Sequence, residues 1–249
     1  MRPFLKWAGN KYQIIERIKA VLPAGKRLIE PFVGSGAVFL NTEYPCYLLA
    51  DANADLINLY QQLQDGRNEF IDYCRSFFTP ENNTADAFYA LRTSFNATAD
   101  PVEKAALFVF LNKHCYNGLC RYNASGLFNV PFGRYARPYF PEVEMNQFWH
   151  RARTATFHVG HFRDILKYAE PGDVIYCDPP YIPLSKTSSF TSYSKNKFGM
   201  LEQDLLAQLA KRLADSGIVV AISNHDTDFS RNIYADADQS KSFQVQRFI

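Results

Sequence analysis

The chain has 249 residues, 47% of them hydrophobic and 15% aromatic, with 27 Lys or Arg against 25 Asp or Glu for a net charge of +2. That length supports one large core or a core domain with an insertion, and no apolar run reaches the ~20 residues of a membrane span. Cys46, Cys74, Cys115, Cys120 and Cys177 form no CxxC pair, and no apolar stretch follows the charged N-terminus. These features argue against secretion, a disulfide framework and a zinc site, and for a reducing cytoplasm.

Apolar residues at 14, 15, 18, 21 and 22 have helical spacing and predict a helix over 13–22, stopped by Pro23-Ala24-Gly25. Residues 26–31 read as a short buried strand ending in the glycine turn Phe32-Val33-Gly34-Ser35-Gly36. A helix is expected to start over 37–40, a second strand covers 46–50 and ends at Asp51, and 55–63 is helical. Strand, glycine turn, helix, strand and acid form the opening half of a doubly wound sheet. From about 65 the rhythm breaks, with helices over 67–78, 84–95 and 101–113 and then a loop-rich stretch, 115–141. Alternation resumes with strand 155–159, helix 163–168 and strand 173–177 before Asp178. Helix 201–214, strand 218–222, a short helix near 227–235 and a last strand over 242–248 follow. The fold class is therefore α/β, a Rossmann-like doubly wound sheet. Residues 1–64 and 150–249 are expected to form the sheet domain, and 65–149 an inserted, mainly helical domain.

Charge is unevenly spread. Residues 51–103 hold nine carboxylates against three arginines, whereas 104–141 hold five Lys or Arg, nine aromatics and no carboxylate. An acid-free, aromatic-rich surface suits a polyanion such as nucleic acid, although 105–111 (AALFVFL) reads as core helix. Residues 183–199 (PLSKTSSFTSYSKNKFG) carry seven Ser or Thr and three Lys without an acid, as fits a loop that orders on a phosphate backbone.

Two constellations carry chemistry. Gly34 and Gly36 stand where a strand must turn sharply and let a ligand approach the backbone. Asp51, 17 residues after Gly34, is placed to accept from ribose hydroxyls. Any adenosine cofactor fits this geometry, but a dinucleotide pattern wants a third glycine where the chain has Phe39. Trp7 and Lys11, before the first helix, are candidate pocket walls. The second constellation is Asp178-Pro179-Pro180-Tyr181. Two prolines leave a stiff turn whose carbonyls point outward, at the edge of the sheet where open α/β folds bind ligands. The Asp178 carboxylate and the Pro179 carbonyl can each accept an N–H of an exocyclic amine and aim its lone pair at a methyl sulfonium. Tyr181 can stack on the base. Positioning does the work, with no metal or covalent nucleophile.

With these motifs in place the chain resembles the Dam family of DNA adenine methyltransferases. The matching stretches are Phe4-Leu5-Lys6-Trp7-Ala8-Gly9, Glu30-Pro31-Phe32-Val33-Gly34, Tyr116-Asn117-Gly118-Leu119-Cys120-Arg121-Tyr122-Asn123, Phe128-Asn129-Val130-Pro131-Phe132-Gly133-Arg134-Tyr135, Asp178-Pro179-Pro180-Tyr181 and Ile222-Ser223-Asn224-His225-Asp226. The resemblance implies S-adenosylmethionine as donor, S-adenosylhomocysteine as product and adenine N6 in double-stranded GATC as target, on a flipped-out base. It places Trp7, Lys11, Glu30, Phe32, Gly34, Gly36, Asp51, Phe162 and Asp178 around the cofactor. Lys6, Tyr116, Asn117, Leu119, Arg121, Asn129, Pro131 and Arg134 fall to DNA, with Lys113, Arg137 and the 183–199 loop as candidates for phosphates. Arg121 suits guanine O6 and N7, Leu119 and Pro131 a thymine methyl, and Tyr116 a wedge in the base stack. A cytoplasmic monomer without metal or membrane partner is expected. The family has glycine where this chain has Asn10, a residue that tolerates left-handed backbone. The family also continues past position 249 with a basic turn and a last strand. Cytosine N4, an RNA base or a glutamine amide as acceptor, and a non-catalytic DNA-binding scaffold, are the rival readings.

Overall fold

The computed structural model describes residues 1–181 and 198–245. Among these, five strands form one parallel sheet in the order β3-β2-β1-β4-β5: β1 (Arg27–Glu30), β2 (Cys46–Asp51), β3 (Ala155–Val159), β4 (Asp173–Cys177) and β5 (Val219–Ile222). The register pairs Ile29 with Leu48 on one side and with Ile175 on the other. Central strands read as continuous apolar runs because both faces are covered, and β4 is buried at every position. The chain builds outward from β1 to β3, then returns to lay β4 on the other side of β1. The order reverses between β1 and β4, and there the crevice outside the carboxyl ends is set up to take a ligand.

The helices are α1 (Ile15–Lys19), α2 (Ala54–Ser76), α3 (Ala85–Ala97), α4 (Pro101–His114), α5 (Glu142–Ala152), α6 (Phe162–Ile165), α7 (Met200–Asp215) and α8 (Asp228–Ile233). Asn53 caps α2 by accepting from the N–H groups of Asp55 and Leu56, and Asp100 caps α4 ahead of Pro101. From Ala105 to His114 every residue of α4 is buried, as an all-round apolar helix must be. It packs against α2 and α3 in a core that also holds Phe4, Tyr60, Phe148 and Phe157. No described helix is long and apolar enough to cross a membrane.

Five expectations are corrected. The helix expected over 37–40 is a single 3-10 turn at Phe39–Asn41. Asn41 Nδ2 bonds the Ala37 carbonyl and Thr42 Oγ1 the Val38 carbonyl, so side chains take the acceptors that helical N–H groups would use. Residues 55–63 and 67–78 belong to one span, α2, broken at Arg67 (φ 31°, ψ −110°). Helix α5 fills the interval between the loop-rich stretch and β3, where no element was expected. The helix over 13–22 shrinks to a 3-10 turn at Tyr12–Ile14 followed by α1. Of the last strand, 242–245 is irregular and 246–249 lies outside the described residues, as does most of the 183–199 loop.

Candidate active site

Four strand ends supply the first cluster. Gly34 (φ 48°) and Gly36 (φ 72°) turn the chain after β1 in the left-handed region, where a side chain is strained. A Cβ at Gly34 would meet Trp7 Nε1 at 2.9 Å, so the indole lies directly on the turn. From the end of β2, Asp51 clamps the same turn. Its Oδ2 accepts from the Gly34 N–H at 3.1 Å and its Oδ1 from the Asn53 N–H at 2.9 Å. Burial pushes the Asp51 carboxyl above its ordinary value while these N–H groups pull it back. Tyr60 in α2 donates to the Gly34 carbonyl at 2.5 Å. Phe32 stacks on Phe162 at 5.4 Å, and Phe198 meets both rings edge-on or tilted.

Glu30 closes β1 and is buried, and burial drives its carboxyl far above the usual range. Its Oε1 finds no hydrogen-bond partner among the described residues. Such an orphaned acceptor calls for a bound donor or a role.

The turn after β4 lies across from Glu30. Asp178 Oδ2 pairs with Lys11 Nζ at 2.6 Å, and Tyr181 donates to Oδ1 at 3.1 Å. Burial raises the Asp178 carboxyl, opposed by the Lys11 ammonium and the Tyr181 hydroxyl. Lys11 also donates to the Gly9 carbonyl at 2.7 Å and lies 4.9 Å over the Tyr181 ring. The segment carrying Lys11 keeps its turn despite Asn10, because Gly9 (φ 77°) takes the left-handed conformation. Asn10 Oδ1 instead accepts from the Tyr12 N–H at 2.8 Å.

A second group gathers where α4 ends. Lys6 is tied to this helix by a reciprocal pair, Lys6 N–H to Asn112 Oδ1 at 2.9 Å and Asn112 Nδ2 to the Lys6 carbonyl at 2.7 Å. Its ammonium lies 3.9 Å over the Tyr135 ring, whose hydroxyl accepts from the Asn117 N–H at 2.9 Å. Asn117 (φ 53°) and Arg134 (φ 54°) are left-handed. Residues 121–129 form a small hairpin, with Asn123 and Leu127 paired at 2.9 Å and Asn129 N–H on the Arg121 carbonyl at 3.1 Å. Asn129 holds the side edge of the Arg121 guanidinium, through Nε at 2.8 Å and Nη2 at 3.2 Å. Two N–H groups at its outer end stay available for a bidentate contact.

Tyr116 (53% exposed), Asn117, Leu119, Arg121, Pro131, Arg134 and Arg137 all face outward. Lys113 stands apart from them. It is 7% exposed, and burial, with Lys6 adding to it, lowers its ammonium to about 8. Tyr135 was not visible as a candidate in the sequence, because its part depends on partners 18 and 129 residues away.

A model of the D12 class N6 adenine-specific DNA methyltransferase family matches residues 7–247. The chain belongs to this family. Among its curated relatives, the DNA adenine methylase of Serratia marcescens is 53% identical over 237 residues, covering 95% of this chain and 88% of the relative. That of Escherichia coli K12 is 49% identical over 236 residues, 95% and 85%. The Haemophilus influenzae one is 47% identical over 251 residues, 100% and 87%. The parallel sheet of this D12-class methyltransferase therefore serves transfer to the N6 of adenine in DNA.

Proposed function

We propose that this D12-class enzyme transfers the methyl group of S-adenosylmethionine to N6 of an adenine flipped out of double-stranded GATC, leaving S-adenosylhomocysteine. The observation that carries this reading is the place of Asp178. It is a largely buried carboxylate at the carboxyl end of β4, beside the point where strand order reverses, bonded to Lys11 and within the field of Glu30.

The residues present fit such a cofactor. The orphaned Glu30 Oε1 is an acceptor for an ammonium group. Asp51 keeps lone pairs for ribose hydroxyls beyond those spent on Gly34 and Asn53. Phe32, backed by the buried Phe162, offers a flat face to an adenine ring, Trp7 lies on the Gly34 turn, and Lys11 stands beside Gly9 and Asp178. When bound, the cofactor supplies an electrophilic methyl sulfonium. The protein aims the nucleophile. Asp178 and the Pro179 carbonyl accept the two N–H bonds of the target amine, Pro180 stiffens the turn and Tyr181 stacks on the base. Lys11 opposes the upward pull of burial on the Asp178 carboxyl.

We assign target recognition to the segment 65–149 together with Lys6, and catalysis to 1–64 and 150–249. Tyr116, Asn117, Leu119, Arg121, Pro131 and Arg134 meet the bases and adjoining backbone, Asn129 orients Arg121, and Arg137 meets phosphate. Lys113 supports Lys6, whose ammonium reaches its carbonyl at 3.4 Å. We place the enzyme in the cytoplasm as a monomer.

Nucleosides released from treated DNA test this reading. N6-methyladenine is expected, and N4-methylcytosine in its place contradicts it. Two substitutions test the parts. Glu30→Gln is expected to weaken cofactor binding about tenfold, because the amide keeps an acceptor but loses the charge that strengthens its bond to an ammonium group. Thermal stability should change little, because no described residue bonds Oε1. An unchanged cofactor Kd by calorimetry removes Glu30 from the pocket. Arg121→Ala should cost about 1–3 kcal/mol of discrimination at one guanine. Equal losses on GATC and scrambled duplexes remove it from base readout.

A further inference from the structure

We infer that Gln203 is a positioning residue for the Asp178-Pro179-Pro180-Tyr181 turn, acting through a one-way hydrogen-bond chain that starts at the His225 backbone. The inference rests on the catalytic reading of that turn given above. Two consecutive prolines deprive the turn of two N–H groups, so its carbonyls are what the surrounding protein must grip. Gln203 grips one of them. It lies in α7 on the stripe that continues through Leu206 and Ala210, a core position, and is fully buried. Its Nε2 donates to the Pro180 carbonyl at 3.0 Å, while its Oε1 accepts from Asn224 Nδ2 at 2.9 Å and from the Tyr234 hydroxyl at 3.0 Å. Asn224 Oδ1 in turn accepts from the His225 N–H at 2.8 Å.

Both ends of this chain are backbone groups with fixed roles. The His225 N–H can only donate and the Pro180 carbonyl can only accept. Neither amide between them can flip without setting donor against donor and acceptor against acceptor. Burial pushes the Tyr234 hydroxyl up to about 12, so it remains protonated and adds a second donor to Oε1. The segment 223–225 is itself fastened to β4. The Ser223 N–H bonds the Cys177 carbonyl at 2.9 Å, and its hydroxyl meets the Tyr176 hydroxyl at 2.7 Å. The strand before the turn and the carbonyl within it are thus held from one segment. Fixing the peptide plane after Pro180 fixes the direction of Tyr181. Through the rigid φ of Pro180 it also fixes the Pro179 carbonyl that accepts from the target amine. This gives the Ile222-Ser223-Asn224-His225-Asp226 stretch a task, which is to set the orientation of the Gln203 amide.

A buried glutamine serving only stability and one serving geometry differ in what its loss does to turnover. Gln203→Met keeps length and volume and removes the grip on Pro180. Asn224→Ala leaves that grip but frees the Gln203 amide to turn. Both are compared with the unaltered chain and with Asp178→Ala, measuring melting temperature, Kd for cofactor and for a GATC duplex, and kcat. A misplacement of about 1 Å lowers rates about 100-fold. Gln203→Met is therefore expected to lower kcat about 100-fold and Asn224→Ala about tenfold, with both Kd values within about threefold of the unaltered chain. If Gln203→Met does not fold, the kcat of Asn224→Ala decides alone. Folded variants with unchanged kcat, beside an inactive Asp178→Ala, overturn the role of Gln203. Losses confined to Kd overturn it equally. An active Asp178→Ala overturns the reading of the turn itself, and positioning by Gln203 with it.

Discussion

Asp178→Ala is expected to lower methyl transfer by at least about 10³-fold, the upper end of what one preorganised polar group contributes to a transition state, while DNA affinity stays within about threefold. The carboxylate meets the amine that reacts, whereas the outward set from Tyr116 to Arg134 is carried by the segment that follows α4. The substitution has a second consequence that must be separated from the first. Lys11 is 7% exposed and loses its ion-pair partner, keeping the Gly9 carbonyl. Removing one member of a buried pair costs about 3–5 kcal/mol, so the variant should also melt earlier. Adding Lys11→Met to Asp178→Ala removes the stranded charge. The double variant is expected to regain most of the melting temperature and none of the activity. Recovery of turnover in the double variant would mean that Asp178 acts only as a counter-ion for Lys11.

Phe148→Ala is expected to destabilise the fold by about 3–5 kcal/mol, a large part of the roughly 5–15 kcal/mol by which a domain is stable. The ring, fully buried on α5, stacks on Tyr60 at 4.6 Å and meets Phe4 at 5.2 Å, Phe39 at 5.6 Å and Phe157 at 6.0 Å. It thus joins the N-terminal segment, the turn after Gly36, α2 and β3 in one aromatic core. A Cβ on Gly36 would lie 3.5 Å from it, so the same ring backs the glycine turn. Urea unfolding reads the change directly. A loss below about 1 kcal/mol would mean that the cavity collapses without harm and that Phe148 does not organise the core.

That α5 carries so central a ring bears on what the sequence could disclose. Strands β3 and β4 were expected over 155–159 and 173–177, and these are the bounds found. Short apolar runs between turn residues leave little choice of register. The doubly wound class and the pocket edge followed from the glycine turn, Asp51 and Asp178, since each motif carries its own local reason, whereas the order of strands came only with the structure. Helix α5 escaped because only Met145, Phe148 and Ala152 of its eleven residues are buried, too sparse a stripe beside a loop-rich stretch. The turn after Gly36 failed as a helix because Asn41 and Thr42 compete for carbonyls, a contest that periodicity does not register. Gln203 and Tyr135 were hidden for another reason. Their roles lie in partners brought near by the fold, Pro180 and Asn224 for one and Lys6 and Asn117 for the other. The orphaned acceptor of Glu30 could be seen only once burial was known.

Plasmid DNA treated with the purified chain and S-adenosylmethionine, then divided between nucleases that read GATC in its methylated and unmethylated forms, tests the central claim most directly. Cleavage by the methyl-requiring nuclease and protection from the methyl-blocked one, both lost with Asp178→Ala, are predicted. DNA that remains sensitive to the methyl-blocked nuclease while labelled methyl accumulates elsewhere would contradict the assignment of adenine in GATC. No transfer at all by the unaltered chain would contradict the enzyme.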